Sequence, residues 1–89
     1  MPSYLINYDL RKPGQNYDGL YEAIKSYPSW AHPLESFWVV VSETASTQIR
    51  DNLAKHLDKN DGLIVVKSAN SGAWQGLSKD LTDWLKKNL

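Results

Sequence analysis

The chain has 89 residues, which is enough for one domain but leaves little room for a separate catalytic or regulatory module, so we expect a single domain over residues 1–89. Ten basic and ten acidic residues balance, so no overall field draws the protein to nucleic acids or anionic membranes. The absence of cysteine excludes disulfides, thiolate nucleophiles and thiolate zinc sites. No signal-peptide pattern or long apolar span is present, which predicts a cytoplasmic protein without membrane association.

The first predicted strand covers residues 4–9, where tyrosine, isoleucine and tyrosine alternate with leucine, asparagine and aspartate. Pro13 and Gly14 then break the extended chain. Asn16 is a suitable N-cap, and apolar residues recur at helical spacing behind it, which predicts a first helix ending near Tyr27 and Pro28.

Two strands are predicted next, one at a sheet edge and one at its centre. Residues 30–35 contain Pro33, which cannot donate a ladder hydrogen bond, so this short strand belongs at an edge. Residues 37–41 read FWVVV, an unbroken aromatic and β-branched run that favours a central strand.

The second half of the chain predicts a helix, a strand and a last helix. Thr44 or Ser46 can cap a helix whose apolar positions run through Leu57, with His56 at the margin of its stripe. Asn60, Asp61 and Gly62 form a turn into a strand over residues 63–67. A loop over residues 68–76 follows, and Ser78 can cap the final helix.

This order of elements predicts an α+β fold of the ferredoxin-like βαββαβ type, with a four-stranded antiparallel sheet and an extra C-terminal helix. In that topology the first and third strands are central, the second and fourth are edges, and two helices cover one face of the sheet. The sequence agrees, because Pro33 falls on a predicted edge and FWVVV in the centre.

The third strand is apolar on both sides, so both faces of the sheet need cover. Either the last helix or a second copy of the chain can supply it on the face away from the two helices. We expect Trp38 and Val40 to lie on that second face and, with Asn7, to contribute to a homodimer interface.

Several short motifs are similar to those of the small bacterial and phage proteins labelled SinR-like, which are grouped with the CRISPR-associated ferredoxin-fold nuclease superfamily. The residues that carry the resemblance are Tyr4-Leu5-Ile6, Tyr8-Asp9-Leu10, Pro13-Gly14, Tyr17, Trp30, His32, Leu34, Ser36, Trp38, Asp61, Leu63-Ile64-Val65-Val66 and Asp83-Trp84-Leu85. In the nuclease group two subunits stack their sheets, and paired strand-end aspartates near the two-fold axis are proposed to bind a divalent metal. This chain departs from that group in its neutral charge and its C-terminal helix.

Asp9, at the end of the first strand, has two interpretations. Its carboxylate can accept hydrogen bonds from the following turn, with Arg11 or Lys12 balancing its charge. Alternatively, the resemblance implies a catalytic and metal-ligating residue, with Asp9 of each of two subunits holding Mg²⁺ or Mn²⁺. Arg11 and Lys12 are candidate phosphate contacts and Tyr8 a candidate stacking surface for a base, although two basic residues before a turn are usually only solvated.

Two functional hypotheses follow from the sequence. The first is a homodimeric, metal-dependent nuclease or nucleic-acid-processing protein, which rests on the resemblance and on Asp9. The second is a non-enzymatic dimeric interaction module, such as an adaptor or antitoxin-like partner of another protein, which rests on the aromatic-rich sheet and the lack of a full catalytic set.

Overall fold

A computed structural model describes residues 1–12 and 14–89 and shows an α+β fold with one four-stranded antiparallel sheet, which confirms the predicted α+β class and the predicted sheet. Its elements in chain order are β1 (Ser3–Asp9), α1 (Asp18–Lys25), β2 (Ser29–Leu34), β3 (Phe37–Val41), α2 (Ser46–Ala54), β4 (Gly62–Lys67) and α3 (Lys79–Asn88). Pro13, predicted to end the first strand, lies outside the described residues, whereas Gly14 turns the chain with φ at +78°.

The four strands lie in the order β2-β3-β1-β4, so the first and third strands are central as predicted. All three neighbouring pairs are antiparallel. This order is compatible with a ferredoxin-like topology. Strand β2, which contains Pro33, lies at an edge, and its pairing with β3 shifts register between Ala31 and Leu34.

One face of the sheet, here called the helix face, packs against α1 and α2. In the ladder between β1 and β3, Tyr4 pairs with Val40 and Ile6 pairs with Trp38, so these four side chains lie together on the helix face. Leu20 and Ile24 of α1 and Ile49 and Leu53 of α2 close the core over these strands, all four without exposed surface. This burial is the main hydrophobic contribution to the stability of the domain.

The expectation that Trp38 and Val40 lie on the second face is therefore wrong. Trp38 is 2% exposed and Val40 is fully buried, and both belong to the core beneath α1 and α2. The tyrosine ring of Tyr21 in α1 lies 6.3 Å from the Trp38 ring, nearly parallel to it. The physical reason is register, because these two residues pair with the apolar side of β1 and must share its face.

The opposite face, here called the α3 face, is covered over β2 and β3 by the third helix. Val39 is fully buried there, and Leu85 of α3 is nearly so. The Trp84 indole Nε1 donates a hydrogen bond to Ser29 Oγ at 3.2 Å, which ties α3 to β2. Cover by the C-terminal helix, one of the two solutions expected from the sequence, is thus present over half of this face.

The half of the α3 face formed by β1 and β4 keeps apolar side chains in contact with solvent. Ile64 is 57% exposed and Val66 is 45% exposed, and Leu5 beside them is half-buried. Asn7 is also exposed on this side, where it pairs with Phe37 and Ile64. An apolar surface of this kind on a sheet is a common site of protein association.

Helix ends follow the local signals closely in α3 and less closely in α2. Ser78 Oγ accepts a hydrogen bond from the Leu81 backbone N–H at 3.2 Å, as its predicted N-cap role requires. Helix α2 instead begins after Ala45, whose N–H donates to Gln48 Oε1, and it ends at Ala54, before His56. None of the helices in the described part of the chain has the length and apolar character needed to cross a membrane.

Candidate functional site

Asp9 lies at the exposed end of β1 in contact with the loop that follows. Its Oδ2 accepts a hydrogen bond from Arg11 Nε at 2.9 Å, and its side chain is 69% exposed. This contact agrees with the first interpretation of Asp9, in which Arg11 or Lys12 balances the charge of its carboxylate. Within residues 1–12 and 14–89, no three histidine, aspartate or glutamate side chains group as metal ligands, so a Mg²⁺ site as predicted would need Asp9 of a second copy.

Asp61 organises the end of the domain where β1, α1 and β4 meet. One carboxylate oxygen accepts from the Arg11 N–H at 2.7 Å, and the other accepts from the Tyr17 hydroxyl and the Asp58 N–H, both at 2.8 Å. Desolvation alone would favour the protonated acid, but these hydrogen bonds outweigh it and hold the pKa of Asp61 below its ordinary value of 3.8. Asp61 is therefore an ionised structural residue of the turn.

The predicted nucleic-acid contacts do not form one surface. Tyr8 is nearly buried on the helix face, where its hydroxyl accepts from Trp38 Nε1 at 3.0 Å and donates to the Glu35 carbonyl at 3.2 Å. Burial raises the pKa of Tyr8, so the hydroxyl stays protonated. Arg11 and Lys12 are exposed, and each already contacts an aspartate, Lys12 at 3.4 Å from Asp58.

The predicted interface residues also separate. Trp38 and Val40 are enclosed by the chain's own helices and offer almost no surface to a second copy, whereas Asn7 is exposed on the opposite face. The exposed apolar residues that can serve as an interface are instead Ile64 and Val66 of β4.

A groove of about 560 Å³ runs along the α3 face between the sheet and the segment that leads into α3. Leu5, Phe37 and Val66 form its sheet side, and Trp74 and Leu85 lie on the other side. Trp74 Nε1 donates to Thr82 Oγ1 at 3.1 Å, which fixes the connecting loop to α3. Asp9 does not line this groove.

A second, smaller cavity of about 320 Å³ opens between α1 and the β2–β3 turn. It is lined by aromatic and charged side chains, namely Tyr8, Tyr21, Lys25, His32, Glu35 and Trp38. The His32 ring stacks on Trp38 with ring centroids 3.7 Å apart and planes 8° apart. His32 Nε2 donates to the Glu35 carbonyl at 2.9 Å, which fixes the imidazole against the turn.

The sequence did not predict this aromatic cavity. Strict strand alternation places His32 and Glu35 on opposite faces, but the register shift in β2 and the tight turn bring both to one cavity. Pro33, next to His32, is the only local signal that the alternation would fail here.

We find no significant match to this chain among protein-family models, curated proteins or solved structures. We therefore infer function from the geometry of the chain itself.

Proposed function

We propose that this protein is a ferredoxin-like, non-enzymatic interaction module that works as a homodimer joined along the outer edge of β4. The observation that carries the proposal is the combination of an unpaired strand edge with exposed apolar side chains on the same strand, Ile64 and Val66. Such an edge presents a row of backbone donors and acceptors that pairs readily with another chain.

The hydrogen-bond pattern identifies the backbone groups at this edge. The Ser68 N–H donates to the Ser3 carbonyl at 2.9 Å, and hydrogen-bonded pairs alternate along an antiparallel ladder. Gly62, Ile64 and Val66 therefore direct their backbone groups toward β1. The backbone groups of Leu63, Val65 and Lys67 point outward, away from the sheet.

A second copy can pair with this edge about a two-fold axis at Val65. Leu63 then faces Lys67 of the partner subunit and Val65 faces its own equivalent, which forms about six backbone hydrogen bonds. On the α3 face, Ile64 lies opposite Val66 of the partner subunit, and the two-fold axis repeats this contact. The most exposed apolar residues of β4 are thus covered by the same contact that satisfies its backbone.

The other edge of the sheet is protected against such pairing. Strand β2 carries Pro33 and an irregular register between Ala31 and Leu34, and both features disrupt a regular ladder. Strand β4 has neither a proline nor a shift in its pairing with β1. This difference favours β4 as the dimer edge.

The proposed dimer separates the two copies of Asp9. Asp9 pairs with Gly62, which lies three residues along β4 from the axis at Val65. Strand β1, which carries Asp9, is one strand further from the axis than β4. Ordinary strand spacings therefore place the two aspartates about 25 Å apart. One divalent ion cannot bridge that distance. The metal-dependent nuclease, which rests on the resemblance and on a shared Asp9 site, requires a different dimer in which sheets stack face to face.

The test is the molar mass in solution, measured by light scattering over a range of protein concentrations. We expect a concentration-dependent dimer that Ile64→Lys converts to a monomer, because a charge at this edge opposes strand pairing. Leu34→Lys is the matched control, since Leu34 is 59% exposed on the protected edge, and it should remain dimeric. A monomeric wild type at high concentration, or a dimer unaffected by Ile64→Lys, would refute the proposal.

A further inference from the structure

The aromatic cavity between α1 and the β2–β3 turn combines stacked rings with charged groups. Trp38 lies among three other rings: His32 stacks on it at 3.7 Å, the Trp30 ring centroid is 5.5 Å away, and the Tyr21 ring is nearly parallel at 6.3 Å. Lys25 Nζ lies 5.5 Å above the Trp30 ring. The cluster is therefore a packed set of rings next to an open cavity of about 320 Å³, with His32 exposed and Tyr21 half-buried around the enclosed Trp38.

Two charged groups line this cavity, and one of them, Lys25, contacts the fold through the Trp30 ring. Among the described residues, the ion pairs involve neither Lys25 nor Glu35, although both line the cavity. The Glu35 carbonyl accepts from Tyr8 and His32, but no hydrogen bond to the Glu35 carboxylate is present in that part of the chain. A cation and a carboxylate acceptor thus remain available beside the rings.

Flat aromatic surroundings with a donor and an acceptor suit a planar heteroaromatic ligand. Rings of this kind stack on aromatic side chains, and a small number of polar groups then determine which ring is preferred. A carboxylate accepts two parallel hydrogen bonds from adjacent N–H groups, and a lysine ammonium donates to carbonyl or ring-nitrogen acceptors. Guanine carries both features, with N1–H and N2–H₂ next to the O6 acceptor.

We propose that this cavity binds a nucleobase and prefers guanine, with Glu35 accepting from N1–H and N2–H₂ and Lys25 donating to O6. The base stacks on the exposed His32 and the half-buried Tyr21, because Trp38 is enclosed beneath these rings. The site is independent of the β4 edge, because its lining residues come from α1, β1, β2, β3 and the turn before β3. The base is supplied either as a free nucleoside or as an unpaired residue of a single strand.

The experiment is an NMR titration of the ¹⁵N-labelled protein with guanosine, adenosine, cytidine and uridine. We expect saturable shifts at the amides of Tyr21, His32 and Glu35, with guanosine binding most tightly and uridine most weakly. Glu35→Gln should weaken guanosine binding about tenfold, since the amide has no charge and keeps only one of the two acceptor oxygens. Glu43→Gln, an exposed carboxylate after β3, is the control and should bind guanosine as the wild type does.

A guanine-containing single-stranded oligonucleotide distinguishes the two sources of the base. Tighter binding of the oligonucleotide than of guanosine, with shifts at the same residues, identifies a single strand as the ligand; equal binding identifies the nucleoside. Absence of saturable shifts with every probe would overturn the proposal. So would shifts away from the cavity, or equal guanosine affinity in wild type and Glu35→Gln.

Discussion

Replacing Trp38 with phenylalanine tests whether this residue belongs to the core of a single chain. The substitution removes the indole N–H that donates to the Tyr8 hydroxyl at 3.0 Å, and the loss of such a hydrogen bond costs about 1 kcal/mol. The smaller ring also leaves a gap at a site that is 2% exposed, which costs about 1 kcal/mol more. We therefore expect the free energy of unfolding to fall by about 2 kcal/mol, which lowers the Tm by about 8–16 °C in a domain of this size.

The assay is urea denaturation followed by circular dichroism, at a low and at a high protein concentration. The difference between wild type and Trp38→Phe should be the same at both, because the lost contacts lie within one chain. Trp30→Phe is the control, since Trp30 is 39% exposed, and it should cost less than about 1 kcal/mol. A loss for Trp38→Phe that depends on protein concentration would place Trp38 at a subunit interface and refute the assignment to the core.

Three further predictions concern Asp61, Asp9 and Gly19. Because the pKa of Asp61 is held below 3.8, its ionised form stabilises the fold above that pH, and this contribution is lost as the pH falls through the lowered pKa. Urea midpoints should therefore drop more steeply below about pH 4 in the wild type than in Asp61→Asn. Parallel curves for the two proteins would contradict this. Asp9→Asn should change the free energy of unfolding by less than about 1 kcal/mol in thermal melts, since the ion pair with Arg11 is exposed. A larger loss would contradict the interpretation of Asp9 as an exposed turn residue. A methyl group at Gly19 would lie 2.9 Å from His56 Nδ1, so Gly19→Ala should destabilise the wild type. In a His56→Ala background the same substitution should raise the free energy of unfolding by up to about 1 kcal/mol through helix propensity. Additive effects in this double-mutant cycle would contradict the contact.

Much of the fold could be predicted because its strongest signals are local. The FWVVV run predicted a central strand, Pro33 an edge strand, and Ser78 a helix start, and all three are confirmed. These features depend on backbone chemistry and on β-propensity within a few residues, which the sequence displays directly.

The face assignment of Trp38 could not be predicted in the same way. Alternation shows which residues of a strand share a face, but it does not show which of two apolar faces the helices cover. That choice depends on the register between β1 and β3, where Ile6 pairs with Trp38. The aromatic cavity depends in turn on the register shift in β2 and on the turn after it, where His32 donates to the Glu35 carbonyl, and strand alternation shows neither feature.

Amide hydrogen exchange at Val65 tests the proposed β4 edge most directly. In a single chain this N–H points away from β1, whereas the neighbouring N–H groups of Ile64 and Val66 lie in the ladder with β1 and serve as internal references. We predict that Val65 becomes protected as the protein concentration rises and loses this protection in Ile64→Lys, while Ile64 and Val66 in the wild type are protected throughout. Rapid exchange at Val65 in a sample that light scattering shows to be dimeric would contradict pairing through this strand.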